Sequence, residues 1–214
     1  MNRYADYELH PAVRPFCELA RASLGFAPLP KAVAPPIPDS SAPIPLLEII
    51  EAPAFAAEYY QWLNNLRKLS VNFYPFQTPN VLVTSPDRKI EVFAAVPPEL
   101  RFAAIIGERL RVSAHPAKLY TKVAELLRQT GAAYIEIIND ASDVLGIECI
   151  LQAGFSPCGY FPALKSAGDV RRDFVVFARP LEPVDAVPPS MPSAFAGFLD
   201  EFLKAQSAGH ARPQ

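Results

Sequence analysis

Five stretches of the chain carry apolar residues at three- and four-residue spacing, and short β-type runs lie between them. The first helical stretch runs from Pro11 to Leu24, with Val13, Phe16, Cys17, Ala20 and Leu24 as its stripe, proline at its first position and Gly25 as its stop. Pro28 to Pro45 is rich in proline, which fixes φ and removes donors, so it reads as an extended linker. Leu46–Ile50 reads as a strand. Pro53 then opens a helix to about Leu69, with Phe55, Tyr59, Trp62, Leu63 and Leu66 on one face. The segment VNFYPFQTPN is irregular. Val81–Thr84 and Lys89–Val96 flank Ser85-Pro86-Asp87-Arg88 as a hairpin, and a strand from Arg101 to Ile106 or beyond follows Pro97-Pro98.

From Pro116 to Gln129 the period returns to helical, with Leu119, Val123, Leu126 and Leu127 inward and Lys118, Lys122 and Glu125 outward. A β-type run at Ala133–Ile138 precedes an amphipathic helix that ends on Ala153-Gly154-Phe155. Strands follow around Tyr160–Leu164 and Phe174–Ala178, then a last helix over Ser193–Ala205 and a polar tail expected to be disordered after Ser207.

Composition narrows the function classes. A chain of 214 residues buries one sizeable core with length left for arms. Its net charge of −2 and the lack of a Lys/Arg cluster argue against nucleic-acid binding. Three scattered cysteines make neither a metal pattern nor a disulfide framework, and no apolar run reaches the ~18 residues of a membrane span. Together these predict a cytoplasmic protein without a metal.

The order strand, helix, three antiparallel strands, helix, strand, helix, hairpin, with its helix–Gly-Phe stop at Gly154-Phe155, resembles the GNAT acyltransferase fold. The resemblance covers residues 46–183. It implies an α/β domain with a mixed, mostly antiparallel sheet flanked by helices, here carrying helical N- and C-terminal extensions. The domain plan is then an N-terminal helical arm (1–27), a Pro-rich linker (28–45), the GNAT-like domain (46–183), and a C-terminal helix and tail (184–214). The resemblance also implies acetyl-CoA or another acyl-CoA as donor and acyl transfer to a small-molecule or protein acceptor.

In that fold, backbone donors at a strand-to-helix turn hold the CoA pyrophosphate, the favoured position for an anion. The matching stretch here places Arg111, Val112, Ser113, Ala114, His115 and Lys118 around the start of the helix at Pro116. Two departures stand out. The Gly-rich turn is missing, and Ile150 occupies the place four residues before Gly154 where many members carry a tyrosine acid. The general-base candidates are Glu108, Glu136 (with Asp140 as an acidic neighbour) and His115, with Glu91 as a further carboxylate. Arg171 and Arg172, with Tyr160 nearby, are candidates for acceptor or partner recognition, since an arginine pair suits a carboxylate or phosphate. Cys149 and Cys158 read as packing cysteines rather than acyl carriers. The competing expectation is a catalytically degenerate GNAT-fold binding module. Such a module would work through protein partners. The enzyme reading also allows a carrier-bound thioester, with a carrier protein as partner, and either reading allows a homodimer formed by the terminal helices.

Overall fold

A computed structural model describes residues 3–4, 7–25, 29–35, 43–71, 77–112, 114–167, 170–183 and 192–210. In chain order the elements are β1 (Arg3–Tyr4), β2 (Glu8–Leu9), a 3-10 turn (Pro11–Val13), α1 (Arg14–Leu24), β3 (Lys31–Ala32), β4 (Glu48–Ile50), α2 (Pro53–Asn65), β5 (Ser70–Val71), β6 (Val81–Thr84), β7 (Ile90–Ala95), β8 (Phe102–Leu110), α3 (Pro116–Gln129), β9 (Tyr134–Asp140), α4 (Val144–Gln152), β10 (Ser156–Ala167), β11 (Val170–Pro180) and α5 (Ser193–His210). This is the mixed, mostly antiparallel, helix-flanked α/β order that the sequence predicts for a GNAT-like fold.

The chain divides into two compact units, and the division differs from the arm–linker–domain plan. One, central in sequence, is Asp39–Ile138 with Arg179–Pro183; the other, terminal, is Met1–Pro38, Asn139–Ala178 and Val184–Gln214. The apolar stripe of α1 thus belongs to a unit it shares with the C-terminal hairpin.

In the central unit β4, β6, β7 and β8 run antiparallel in turn, and β8 pairs parallel with β9. The β8–α3–β9 passage is a strand–helix–strand crossover, the connection that parallel neighbours require. The β7–β8 ladder pairs Ala95 with Ala104 and Ala94 with Ile105, then Phe93 with Gly107. Ile106 is therefore an extra residue, a β-bulge that resets the alternation. On one face Leu82, Phe93, Ala95, Phe102, Ala104 and Ile106 pack with Leu63 of α2. On the other face α3 buries Leu119, Val123, Leu126 and Leu127.

Helix α2 corrects its predicted face. Ala56 and Leu63 are its buried residues. Phe55 and Trp62, 44% and 55% exposed, stand outward with Leu66. Phe55 stacks on Tyr59 and Tyr59 on Trp62, at centroid distances of 5.5 and 6.0 Å. The stripe reads as core by spacing, yet the small Ala56 lets the helix approach the sheet on its neighbouring face.

In the terminal unit β10 and β11 form an antiparallel hairpin with register shifts between Pro157 and Gly159 and between Phe161 and Lys165. Within the second shift Ala163 takes a left-handed φ of 57°. β1 pairs parallel with β11, and β2 with β3, so two residues of the expected linker are a strand. α1 and α5 each pack on β10 and on each other, with Phe16 and Phe198 6.3 Å apart. The terminal helices therefore cover this unit's own hairpin. No helix among the described residues is long and apolar enough to cross a membrane, and they contain no cluster of potential metal ligands.

Candidate functional site

The site begins where β8 and β9 part. Their parallel register runs from Phe102/Tyr134 to Ile105/Ile137, and β8 continues to Leu110 beyond it. Ligands of α/β sheets gather at such carboxyl ends, where a strand leads into the crossover helix.

The start of α3 is built by His115 and Pro116. Proline at the first position supplies a preset φ and has no N–H to leave unpaired. His115 caps the helix: its Nδ1 accepts the Lys118 N–H at 3.4 Å, so the neutral ring carries its proton on Nε2. That Nε2 is buried and has no hydrogen-bond partner among the described residues. A buried donor left unmade is costly, so a polar group delivered to it is stabilising. Arg111 and Lys118 are exposed and Val112 and Ala114 half-buried around this turn, and the Arg111 N–H is taken by the Lys89 carbonyl at 2.7 Å. Ser113 lies outside the described residues.

The bulge decides where the carboxylates point. Glu108 pairs with Val92 on the α3 face, and its Oε2 accepts the Tyr120 hydroxyl at 3.2 Å. Glu136 is in register with Ala104, which belongs to the α2 face. The two candidate bases therefore stand on opposite faces of the sheet and do not form one site. Within the terminal unit, Asp140 is engaged by Ser142 and by Arg172, whose Nη1 is 2.9 Å from Oδ2.

Glu91 is not a free carboxylate. It is 0% exposed on the α2 face, accepting Arg109 Nε at 2.6 Å and the Tyr59 hydroxyl at 2.8 Å. Arg109 also donates to the Tyr59 oxygen. Arg88 lies 5.0 Å over the Tyr59 ring, and Lys68 lies 5.9 Å over the Trp62 ring.

A second polar cluster, in the terminal unit, corrects the reading of Tyr160 and the Arg171-Arg172-Asp173 run. Asp173, 1% exposed, pairs with Arg21, itself 2% exposed, at 2.6 Å, rather than with its neighbouring arginines. Its Oδ2 also accepts the hydroxyls of Tyr7 and Tyr160 at 2.6 and 2.8 Å, and its Oδ1 accepts the Ala163 N–H at 2.8 Å. Burial would raise the Asp173 carboxyl. The donors from Tyr7, Ala163, Arg21 and Tyr160 outweigh it and hold the carboxyl below its ordinary range. Burial raises both tyrosine hydroxyls and the Cys17 thiol. Tyr160 is thus an inward structural hydroxyl, while Arg171 and Arg172 sit on β11 with Arg172 half-exposed. Cys149 is buried, and Cys158 donates to the Val176 carbonyl at 3.5 Å.

Arg21 has a sequence signal that was there to read, four residues after Cys17 on the apolar stripe of α1. Strand β5 has none. Ser70 and Val71 fall in a segment without alternation, yet they pair antiparallel with Glu108 and Gly107.

No family model matches this chain, and no curated protein does. Among solved structures it is similar to the ribosomal-protein-S18-alanine N-acetyltransferase of Escherichia coli, at 14% identity over 65% of this chain and 96% of that one, with a TM-score of 0.44. It is also similar to a Bacillus subtilis acetyltransferase in complex with CoA, at 13% identity over 64% and 98% of the two chains, with a TM-score of 0.43.

Proposed function

We infer that this chain is an acyltransferase that takes an acyl group from a CoA or carrier-bound thioester and passes it to a nucleophile. The observation that carries the reading is the parting of β8 and β9 beside the α3 N-terminus, where buried His115 Nε2 awaits an acceptor. An anionic donor such as acetyl-CoA or another acyl-CoA suits that helix end, with Arg111 and Lys118 supplying positive charge. Glu108 is the base of this reading, because it alone of the two candidate bases on β8 and β9 shares a face with α3. The acceptor's nitrogen or oxygen loses its proton to Glu108, directly or through a water, and attacks the thioester carbonyl. The thiolate then departs with the electron pair of the broken C–S bond. Ile150 supplies no acid, so the thiolate takes its proton from water.

The test is calorimetric titration of the full chain with CoA and acetyl-CoA, alongside Lys118→Glu. Saturable binding that weakens tenfold or more in the variant supports the reading. Absence of binding to both compounds sinks it. Absence of thioester binding would leave the degenerate binding module as the remaining reading.

A further inference from the structure

A strand has two hydrogen-bonding edges. One edge of β8 is filled by β7, which pairs from Ala104 to Leu110. The other edge carries β9 from Phe102 to Ile105 and, further along, β5 at Gly107 and Glu108. The two residues Ser70 and Val71 thus occupy the edge that β9 leaves, immediately before the turn into α3. Gly107 shows how closely they approach: a Cβ there would lie 3.4 Å from the Ser70 carbonyl oxygen and 3.0 Å from the Tyr60 ring.

We propose that β5 is an internal strap that competes with the thioester donor for this edge of β8. The inference rests on the reading of the site as a thioester site. The arm of CoA between its pyrophosphate and its sulfur is an extended chain bearing two amides. Such a chain seats by main-chain pairing only on a strand edge with free N–H and C=O groups. With its pyrophosphate at the α3 N-terminus, the arm lies along β8 at Gly107 and Glu108, and those positions already have a partner. Donor entry and β5 seating exclude each other. A two-residue ladder is the smallest element that fills the edge, and Ser70 has neither the branched nor the aromatic side chain that favours strands. The strap therefore opens at modest cost. Whatever stabilises its open form, such as an acceptor or partner held by α2, raises donor affinity by the inverse of the open fraction.

The experiment uses the full chain with CoA and acetyl-CoA as probes. Successive residues of a strand point their N–H groups to opposite edges, so Ser70→Pro and Val71→Pro, made singly, remove one donor facing β8 and one facing away. One of the two is expected to bind both compounds about tenfold tighter than wild type, the gain for a strap seated about nine-tenths of the time. A double-cysteine variant guards against a proline variant that fails to fold. Ser70→Cys/Glu108→Cys places thiols on cross-strand neighbours, whose Cβ atoms stand about 5 Å apart. The oxidised form is expected not to bind, and reduction is expected to restore binding in the same sample. Equal affinity of the oxidised and reduced forms overturns the strap, as does wild-type affinity in both proline variants. Absence of CoA binding in every form, reduced and proline variants included, overturns the thioester reading together with the strap's role. Slow exchange of whichever of the Gly107 and Glu108 amides points away from β7 then still reports whether β5 is seated, which separates the two failures.

Discussion

Each unit holds one buried arginine–carboxylate pair with a tyrosine hydroxyl on it, and the two are built differently. In the terminal unit Asp173 receives Arg21, Tyr7, Tyr160 and the Ala163 N–H, all withdrawn from solvent or nearly so. In the central unit Glu91 receives Arg109 and Tyr59, and Tyr59 continues outward into the exposed stack of Phe55 and Trp62. The first cluster joins α1, from the N-terminal end of the chain, to the hairpin made by its C-terminal part. Its chemistry is spent on structure: every polar atom is engaged, and the tyrosines are held protonated by burial. The second fixes α2 on the sheet and leaves a cation-capped aromatic ladder facing outward. A closed network specifies a fold, whereas an open one specifies a fold and a surface.

Breaking the closed network should cost most. Asp173→Ala leaves Arg21 buried without its counter-ion and should destabilise the protein by about 4 kcal/mol, read as a fall in urea midpoint. Glu91→Ala strands Arg109 in the same way. Arg109 lies at the edge of the open network, so the loss should be smaller, about 3 kcal/mol by the same measurement. Acid sharpens the contrast. The Asp173 carboxyl is depressed in the folded state, so its contribution is present above the unfolded value of about 3.9 and is lost as pH falls below it. Wild type should therefore lose stability between pH 5 and 3 more steeply than Asp173→Asn; parallel curves would show that this group is not the source. Tyr59→Phe removes only the bridging hydroxyl and should cost about 1 kcal/mol. Trp62→Ala, on the exposed end of the ladder, should change stability by no more than ~0.5 kcal/mol.

Much of this architecture is legible in the sequence because its signals are local. Pro116 and His115 fix the start of α3, and Gly25 ends α1 with a φ of 67°. Periodicity finds the strands and helices but misassigns faces where one residue changes the count. The inserted Ile106 sends Glu108 and Arg109 to the faces opposite those that simple alternation from Ile105 assigns. The α2 stripe looks like core, but burial follows Ala56 and Leu63, because packing distance is set by the smallest residues on a helix. Long-range partners leave no local trace: Arg21 meets Asp173 across 152 positions, and β5 forms only because β8 offers it an edge.

The bulge at Ile106 also bears on how such a chain tolerates change in length. Surface loops absorb inserted or lost residues at little cost, whereas most positions in a strand do not. The bulge is the exception in β8: without Ile106, Ile105 and Gly107 would be consecutive steps opposite Ala94 and Phe93, and Glu108 and Arg109 would keep the faces they have now. Losing a regular position between Phe102 and Ile105 would instead change which faces meet across the ladder. Related chains are therefore expected to vary the length of this strand at the bulge and not beside it, at the cost of the Ile106 packing under α2.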